Sequence, residues 1–325
     1  MLTETDPTWR LRADGAVAVL GGGLMGHAIA AVFVGHGYDV TCCEPDETTR
    51  STLANRVDDV VATLNQSGPP RGRLGLVGHV GHLSPNTALV IEAAPESLTL
   101  KQELLAAVAL TCPDAVLATN TSVFRVGDVG ALVEDPHRVV GTHWWNPPHL
   151  IPLVEVVQGR DTDLAVVRGV MQLLASLGKT PVHVRRDTPG FIGNRLQHAL
   201  WREAMALVQE GVCDAATVDD VVRNSIGLRL SEVGPLENAD FVGLDLTLAI
   251  HSYVFAALST AATPLPVLRE AVSRGDLGAK TGKGFLNWPE GRREDTARRL
   301  SERIRLLTSL ASGPRASSPR PTTPA

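Results

Sequence analysis

The feature that most constrains the fold is a glycine-rich turn between two apolar segments. Residues 16–20 read Ala-Val-Ala-Val-Leu, the turn is Gly21-Gly22-Gly23-Leu24-Met25-Gly26, and residues 28–34 are again apolar. Glycines at positions one, three and six allow a tight bend, close approach of the main chain to a pyrophosphate, and close helix–strand packing. The pattern predicts a strand–turn–helix unit whose helix N-terminus binds phosphate groups.

An acidic residue follows the next predicted strand, residues 39–43. Glu44 lies 44 − 21 = 23 positions after the first glycine, where a carboxylate accepts hydrogen bonds from an adenosine ribose. The same carboxylate repels a 2′-phosphate, so the pattern favours NAD over NADP. A glycine turn in some other α/β unit is the alternative. The predicted cofactor contacts here are Gly21, Gly23, Leu24, Met25, Gly26 and Glu44.

The first half of the chain alternates between predicted strands and helices. Further strands are expected at residues 88–92, 116–119, 138–142 and 181–184, and helices at 48–64, 101–110 and 163–177. This alternation predicts an α/β fold with a doubly wound parallel sheet, whose ligands bind beyond the carboxyl ends of the strands. Five residues fall at such ends: Gly21, Glu44, Glu92, Ser122 and His143.

The second half of the chain changes character after residue 187. Helices are predicted at residues 192–209, 215–225, 243–258 and 266–274, followed by a charged helix from about 288 to 310. We therefore expect an NAD-binding domain at 1–187 and an all-helical C-terminal domain at 188–311, which would supply substrate contacts and a homodimer interface. Residues 312–325 are rich in Pro, Ser and Thr, which predicts a disordered tail.

A histidine and a glutamate flank a proline-containing turn. His143 ends the predicted strand 138–142, and Glu155 lies 155 − 143 = 12 positions later, alone in an apolar run. A lone carboxylate in such a run needs a partner, and an imidazole can supply one. The hypothesis is that Glu155 orients His143 and supports its charged form, making a general acid/base pair. The alternative is a core histidine and an edge-strand glutamate.

Composition excludes several classes of function. The chain has 325 residues, a formal net charge of −5 and 44% hydrophobic residues, with no basic stripe. Nucleic acid and anionic membrane are therefore not expected as partners. No signal peptide or bilayer-length apolar run is evident. The four cysteines have neither metal-site nor disulfide spacing, so the expectation is a cytoplasmic enzyme without a metal that acts on a small molecule.

Six motifs occur together in an order that resembles the L-3-hydroxyacyl-CoA dehydrogenase family, across roughly residues 16–288. They are Gly21-x-Gly-x-x-Gly26, Asn120-Thr121-Ser122, His143-x-x-Asn146-Pro147, Glu155, Pro189-Gly190-Phe191-Ile192-x-Asn194-Arg195 and Lys280-Thr-Gly-Lys-Gly-Phe285. The resemblance implies a Rossmann domain, a helical dimerisation domain, NAD, and reversible oxidation of a secondary alcohol β to an acyl group.

The resemblance also implies roles for individual residues. His143 and Glu155 match the catalytic pair, and Ser122 and Asn194 match substrate-contacting positions. Glu96 and Lys101 match positions that line the cofactor cleft. Asn120 is assigned to the cofactor and Asn146 to the substrate, from their places in the motifs. Ser122 or Thr121 capping the next segment, and Asn194 serving only in the first turn of a helix, are the alternatives.

Departures from the family pattern leave the substrate open. The usual His-Phe-Phe is His143-Trp144-Trp145, and the two indoles are expected to narrow the mouth of the cleft. Only 92 − 44 = 48 positions separate Glu44 from Glu92, with no lysine in residues 46–85, which argues against the arm that grips CoA. A 3-hydroxyacyl thioester, a small hydroxy acid of the gulonate or carnitine type, and a ketoreductase substrate all remain possible. A retired NAD-binding protein is the alternative from another class. Arg125 and Arg195 are candidates to pair with a substrate carboxylate, or else form surface salt bridges.

Overall fold

The computed structural model describes residues 9–10, 15–64 and 71–311. Its first part is built on one eight-stranded sheet. The strands are β1 (Ala16–Leu20), β2 (Val40–Cys43), β3 (Leu74–Val77), β4 (Thr87–Glu92), β5 (Val116–Thr119), β6 (Val139–Trp144), β7 (Leu153–Val157) and β8 (Thr180–Val184).

The strand order is β3-β2-β1-β4-β5-β6-β7-β8. The six strands from β3 to β6 are parallel, as the sequence predicted, but β7 is antiparallel to β6, and β8 is parallel to β7. The expectation of a wholly parallel sheet is therefore wrong for its last two strands. Residues 145–152 connect β6 to β7, and this connection is shorter than the dozen or so residues that a parallel crossover needs.

Helices cover both faces of the sheet. One face packs against α1 (Gly26–Gly35), α2 (Glu47–Thr63) and α5 (Leu164–Ser176), and the other against α3 (Leu98–Thr111) and α4 (Val126–Val129). Each face has its own cluster of buried aliphatic residues, because successive residues of a buried strand point to opposite sides. The doubly wound, Rossmann-type architecture is confirmed.

The edge strand β3 was not predicted from the sequence. Its four residues, Leu-Gly-Leu-Val, are only partly buried, so they lack the continuous apolar run of an interior strand. Pairing with β2 runs from Val40 opposite Leu74 to Cys43 opposite Val77. Because β3 extends the sheet beyond β2, its carboxyl end adds residues 78 and 79 to the edge where ligands bind.

The remainder of the described chain is helical, as predicted. It contains α6 (Gly193–Gln209), α7 (Ala215–Asn224), α8 (Ile226–Leu230), α9 (Pro235–Val242), α10 (Leu244–Val254), α11 (Pro266–Ser273) and α12 (Arg292–Ala311). The helices α8 and α9 were not predicted, since both are short. Pro235 opens α9, where a proline costs no hydrogen bond, and Gly243, with φ of 100°, separates α9 from α10.

Two compact units divide the chain after Asn194, so the segment that leads into α6 belongs with the sheet. The division into domains at residue 187 stays a prediction, and the predicted tail 312–325 lies outside the described residues. Across the described ranges, no single helix has the length and apolarity to cross a bilayer. Only α9 together with residues 244–257, bent by 108°, meets that test by length and composition.

Candidate active site

His143 and Glu155 face each other across the antiparallel pair of β6 and β7. The two residues are direct partners in the strand register, so their side chains leave the sheet on the same face. Nδ1 of His143 lies 2.7 Å from Oε2 of Glu155, and both side chains are buried. The structure therefore brings together the two residues that the sequence predicted to pair.

The second carboxylate oxygen of Glu155 is held by the main chain. Oε1 accepts hydrogen bonds from the backbone N–H groups of Ile192, at 2.9 Å, and Gly193, at 3.1 Å. Burial raises the pKa of Glu155, but the hydrogen bonds from His143, Gly193 and Ile192 outweigh burial and hold the pKa below its usual value. Glu155 is therefore an ionised carboxylate near neutral pH.

This arrangement fixes which nitrogen of the neutral His143 carries the proton. An ionised carboxylate can only accept hydrogen bonds, so Nδ1 of His143 must donate to it. The neutral ring then has its proton on Nδ1 and a free lone pair on Nε2. A histidine in this tautomer can take a proton at Nε2, and the carboxylate stabilises the resulting imidazolium.

Two aromatic rings enclose the imidazole of His143. The ring of Trp145 lies 5.1 Å away and that of Phe191 lies 5.5 Å away, between centroids, and both are tilted against the imidazole by about 55°. Trp145 in turn packs on Gly193, since a Cβ added to this glycine would overlap the indole. The histidine therefore lies in an apolar environment that limits its rotation.

The backbone at Phe191 has a left-handed conformation, with φ of 52°, directly after Gly190 with φ of 75°. A bulky residue rarely adopts this conformation and does so at a cost of about 1–3 kcal/mol. Burial of the phenyl ring, which is 1% exposed, offsets that cost. The turn directs the next two backbone N–H groups at Glu155, so the strained residue supports the His–Glu pair.

Ser122 and Asn194 are adjacent, as the predicted site requires. The Nδ2 atom of Asn194 donates to the backbone carbonyl of Ser122 at 2.8 Å. The hydroxyl of Ser122 has no hydrogen bond to the residues that the structure describes. Of the two residues considered for capping, only Thr121 binds the main chain that follows: its Oγ1 accepts from the N–H of Phe124 at 3.1 Å, which closes a turn ahead of α4. The Ser122 hydroxyl is thus free to meet a ligand.

Glu96 organises the turn that carries Ser122. Its Oε1 accepts hydrogen bonds from the Thr121 hydroxyl and from the N–H of Ser122, at 3.0 Å for the latter. Burial raises the pKa of Glu96, but these hydrogen bonds and the charge of Lys101 outweigh it and lower the pKa. The carboxylate is therefore charged, and it holds the Asn-Thr-Ser turn in place.

Two asparagines occupy different environments. Asn120 is buried, and its Oδ1 accepts from the backbone N–H of Trp144 at 2.9 Å, which ties the end of β5 to β6. Asn146 is exposed in the connection after β6, and its peptide bond to Pro147 is cis. The first is engaged within the protein, whereas the second is accessible from solvent. A cofactor contact for Asn120 and a substrate contact for Asn146 stay predictions.

The glycine turn has the three properties that the sequence predicted. Gly21 has φ of 93°, which favours glycine. A Cβ on Gly26 would overlap the carbonyl oxygen of Gly21, so helix and turn are in close contact there. A Cβ on Gly23 would meet nothing within 4 Å. The main chain at Gly23 is therefore open to an approaching pyrophosphate.

Glu44 lies beside this turn at the carboxyl end of β2. Its Oε2 accepts from the N–H of Gly22 at 2.7 Å, and Oε1 accepts from the N–H of Asp46 at 2.9 Å. Each carboxylate oxygen can accept a second hydrogen bond, so both stay available to ribose hydroxyls. The carboxylate is thus fixed where the sequence placed the adenosine ribose.

A cleft of about 780 Å³ opens from the glycine turn. Its lining includes Gly21, Gly23, Leu24, Met25 and Glu44 from the turn and β2, and residues 93–95 with one side of α3 from beyond β4. The open main chain at Gly23, the carboxylate of Glu44 and the volume together fit the AMP half of NAD. Glu96, Lys101 and Asn120 do not line this cleft.

Lys101 is buried and bound by acids. The side chain is 1% exposed, with Nζ 2.8 Å from Oε1 of Glu92, 3.2 Å from Oε2 of Glu96 and 3.2 Å from the carbonyl of Ala94. Glu92 is completely buried and also accepts from the Thr119 hydroxyl at 2.7 Å. Glu92, counted above among residues at the ligand edge, therefore acts inside the fold, and a cofactor contact for Lys101 stays a prediction.

Trp144 does not narrow the cleft, contrary to the expectation from the sequence. Its side chain is buried in the core beside Phe33, with centroids 6.4 Å apart. Lys179 lies 5.5 Å from the Trp144 ring centroid, and its Nζ donates to the carbonyls of Pro148 at 2.5 Å and Ile151 at 3.0 Å. Trp144 therefore belongs to the core and does not face the cleft.

Sequence reasoning missed residues that hold the site from a distance. Arg56 of α2 donates to the carbonyls of Gly22, at 2.8 Å, and Gly23, at 3.2 Å, and so supports the glycine turn. Lys179 supports the connection after β6. Both contacts span 28 or more residues of sequence. No local pattern marks either residue.

The cleft at the glycine turn fits a nucleotide, and the comparisons with known proteins identify an NAD-dependent dehydrogenase that acts on CH–OH groups. The chain belongs to the 3-hydroxyacyl-CoA dehydrogenase family. The NAD-binding domain of that family matches residues 16–188, and its C-terminal domain matches residues 190–288. The resemblance seen in the sequence is confirmed, as is NAD as the cofactor.

Relatives within the family act on different substrates. The 5-formyl-3-hydroxy-2-methylpyridine 4-carboxylate 5-dehydrogenase of Mesorhizobium japonicum is 32% identical over 300 residues, which cover 90% of this chain and 96% of the relative. The L-carnitine dehydrogenase of Pseudomonas aeruginosa is 37% identical over 222 residues, which cover 67% and 69%.

Solved structures give the same picture. A crystal structure of 5-formyl-3-hydroxy-2-methylpyridine 4-carboxylic acid 5-dehydrogenase, described as an NAD⁺-dependent dismutase, matches with a TM-score of 0.85 and 29% identity, covering 92% of this chain and 98% of that one. The (S)-3-hydroxybutyryl-CoA dehydrogenase of Ralstonia eutropha matches with a TM-score of 0.67 and 27% identity, covering 85% and 99%.

Proposed function

We propose that this dehydrogenase uses His143 as its general base and acid. Glu155 orients the imidazole ring and stabilises its protonated form. The observation that carries the proposal is the 2.7 Å hydrogen bond between Nδ1 and Oε2. The carboxylate is anchored on its other oxygen by two backbone N–H groups. A carboxylate fixed in this way leaves Nε2 as the only ring position that can exchange a proton with substrate.

In the oxidising direction, Nε2 of His143 takes the hydroxyl proton of the alcohol while the carbon that bears this hydroxyl loses a hydride. NAD, when bound, supplies the acceptor for that hydride. The buried carboxylate of Glu155 stabilises the imidazolium that forms, so the proton need not leave the site during the reaction. In the reducing direction the imidazolium returns the proton to the carbonyl oxygen.

Ser122 and Asn194 are proposed to position the substrate oxygen. The Ser122 hydroxyl can donate to that oxygen, since it has no hydrogen bond to the described residues. Asn194 uses one of its two N–H bonds on the Ser122 carbonyl, which leaves the other for a ligand. Donors held in this way stabilise an oxygen whose charge changes during reaction.

The proposed substrate is a compact alcohol or aldehyde rather than a CoA thioester. Arg71 and Arg73 lie in the short stretch between Glu44 and Glu92 and form salt bridges with Asp58 and Asp39 respectively, the latter at 2.6 Å. Arginines paired in this way have less to offer the phosphates of CoA. The high structural similarity to a dehydrogenase that acts on a pyridine carboxylate supports the same conclusion.

That similarity also favours a second candidate, aldehyde dismutation. Two aldehyde molecules and one water give one alcohol and one carboxylic acid. The hydrated aldehyde loses a hydride to bound NAD and a hydroxyl proton to His143 and becomes the acid. A second aldehyde then accepts the hydride from the reduced cofactor and the proton from His143 and becomes the alcohol. His143 can serve both halves, because it takes a proton from the hydrate and returns one to the carbonyl oxygen of the second aldehyde.

The test compares kcat/KM for acetoacetyl-CoA, small 3-oxo acids, cyclic ketones and aromatic aldehydes that carry a carboxylate, by NADH absorbance. We expect a compact substrate to exceed acetoacetyl-CoA. A clear preference for the thioester that is lost when Arg71 and Arg73 are both changed to Gln would contradict the substrate proposal. Acid and alcohol formed in equal amounts from an aldehyde, without net NADH, would establish dismutation. No turnover of any compound, with NADH bound normally, would favour a retired NAD-binding protein.

We also propose a homodimer through the helical region. Helices α9 and α10 expose large apolar side chains, among them Phe241 at 85% and Tyr253 at 86%, and α7 to α10 contain no buried residue. Apolar surface of this extent is typical of protein–protein interfaces. Light scattering after gel filtration should give twice the chain mass, and Phe241→Glu should reduce it. A monomer in the unaltered protein would contradict the proposal.

A cytoplasmic location stays a prediction.

A further inference from the structure

The cofactor cleft extends beyond Glu44 into a slot with mostly apolar walls. Pro45 and Val80 line one side, and Leu100, Leu104 and Ala107 of α3 line the other. Two residues of the lining carry polar groups that are not used elsewhere: His79, just after β3, and Glu103, on α3. The slot therefore combines apolar walls with two defined polar positions.

His79 presents a hydrogen-bond donor to this slot. Its Nδ1 accepts the backbone N–H of Gly81 at 3.0 Å, so the neutral ring carries its proton on Nε2. The ring of His82 packs edge-on against it, with centroids 6.0 Å apart. The Nε2–H group has no hydrogen bond to other described residues. The local turn thus selects one tautomer and leaves its donor available.

Glu103 presents only acceptors. It lines the cleft together with Leu100, Leu104 and Ala107, and the spacings of three and four residues from Leu100 and to Ala107 place these residues along one side of α3. Its carboxylate is exposed and makes neither a hydrogen bond nor an ion pair with any part of the chain that the structure describes. A donor on the β3 side and an acceptor on the α3 side therefore face the same slot.

Adenine has the matching pattern. It is a flat ring that suits apolar walls, its ring nitrogens accept hydrogen bonds, and its exocyclic amino group donates them. The predicted ribose contact of Glu44 is at the inner end of the slot, so the base attached to that ribose would lie between β3 and α3. We propose that His79 donates to a ring nitrogen of the adenine and Glu103 accepts from its exocyclic amino group.

This proposal predicts discrimination at the base of the dinucleotide. Hypoxanthine differs from adenine by an oxygen acceptor in place of the amino group and a hydrogen on N1. Glu103 would then face an acceptor instead of a donor, so the dinucleotide loses one hydrogen bond to a charged group, worth about 1.5–3 kcal/mol, which is about tenfold or more in affinity. The inference concerns NAD recognition alone and does not depend on the catalytic role proposed for His143.

The experiment measures dissociation constants of NADH and reduced nicotinamide hypoxanthine dinucleotide by calorimetry or nicotinamide fluorescence. We expect the unaltered protein to bind NADH tighter by about tenfold or more. Glu103→Gln should reduce that ratio, because an amide can turn its NH₂ toward the hypoxanthine oxygen. His79→Phe should weaken NADH binding while keeping an aromatic wall, and the double variant should bring the ratio to about threefold or less.

Two matched variants control for general effects. Glu134→Gln removes an exposed carboxylate elsewhere, and His82→Phe replaces the neighbouring imidazole, which does not line the cleft. Both should keep the ratio of the unaltered protein. The proposal is wrong if the unaltered protein binds the two dinucleotides within about twofold. It is also wrong if the double variant weakens both to the same extent and leaves the ratio unchanged.

Discussion

Replacing Glu155 with glutamine tests how the buried carboxylate controls His143. The carboxylate accepts three hydrogen bonds, one from Nδ1 of His143 and two from the backbone N–H groups of Ile192 and Gly193. A glutamine of the same shape has one oxygen and one NH₂ group. Its oxygen should face the two backbone donors, because the opposite orientation leaves two buried N–H groups unpaired, at about 1–3 kcal/mol each.

That orientation inverts the tautomer of His143. The amide NH₂ then points at Nδ1, which must accept, so the ring proton moves to Nε2 and the base position is lost. The negative charge that supported the imidazolium is lost as well. A positioned general base contributes about 10²–10⁴-fold, so kcat should fall by that factor, or about 3–5 kcal/mol in activation free energy. The two backbone hydrogen bonds remain and the third is replaced by one from the amide NH₂ to Nδ1, so folding should be nearly unaffected.

The assay compares kcat, NADH affinity and thermal unfolding of Glu155→Gln and the exposed control Glu134→Gln. We expect kcat of the first to fall by the stated factor and its pH dependence to change, while the NADH dissociation constant stays within about twofold. His143→Gln should fall as far, and the double variant little further, because the residues act as one unit. Near-normal turnover of Glu155→Gln would refute the assigned role. So would a loss of activity matched by an equal loss of NADH binding.

Three further predictions concern the cofactor turn, the ribose site and the connection after β6. Gly23→Ala should fold normally but weaken NADH binding tenfold or more, by about 1.4 kcal/mol, since its Cβ enters open space, whereas Gly26→Ala should lower the unfolding temperature because its Cβ overlaps the main chain of Gly21. Glu44→Ala should reduce a preference for NAD over NADP of about tenfold, and a parent enzyme that prefers NADP would contradict the role of Glu44. Burial lowers the pKa of Lys179 to about 8, below the unfolded value of about 10.4. Between these values the unfolded chain binds a proton that the folded protein does not. The free energy of unfolding should therefore rise with pH, by up to about 3 kcal/mol, and urea unfolding of Lys179→Met at pH 7.5 and 10 should lack this rise.

The sequence predicted the order of elements in the sheet because local signals agree there. The run before Gly21, the glycine turn and the apolar helix after it each have a pattern that works over a few residues, and each was found within one or two residues of its place. The strand β3 and the direction of β7 were missed. Half-burial weakens the pattern of an edge strand, and direction depends on whether the connection can cross the sheet.

The candidate site was predictable where it depends on residue type and unpredictable where it depends on main-chain geometry. His143 and Glu155 were found as side chains suited to proton transfer, and the family resemblance assigned Ser122 and Asn194 to the substrate. The backbone N–H groups that anchor Glu155 leave no trace in the sequence, since every residue except proline has one. They are brought to the carboxylate by the left-handed turn at Phe191, and a phenylalanine predicts no such turn.

The two neighbouring tryptophans, Trp144 and Trp145, have different surroundings because side chains alternate along a strand. Successive side chains of a strand point to opposite faces of a sheet, so Trp144 must leave β6 on the face opposite to His143. The structure follows this rule, with Trp144 in the core beside Phe33 and Trp145 packed near the imidazole. The same alternation explains why Glu155 can reach His143, since the strand register pairs these two residues directly.

Shortening Trp145, but not Trp144, should therefore change which substrates reach His143. Shortening Trp144 should instead lower the stability of the fold, with a cost of about 3–5 kcal/mol for a buried tryptophan changed to alanine. Equal changes in substrate preference for Trp144→Phe and Trp145→Phe would contradict this assignment of the two faces.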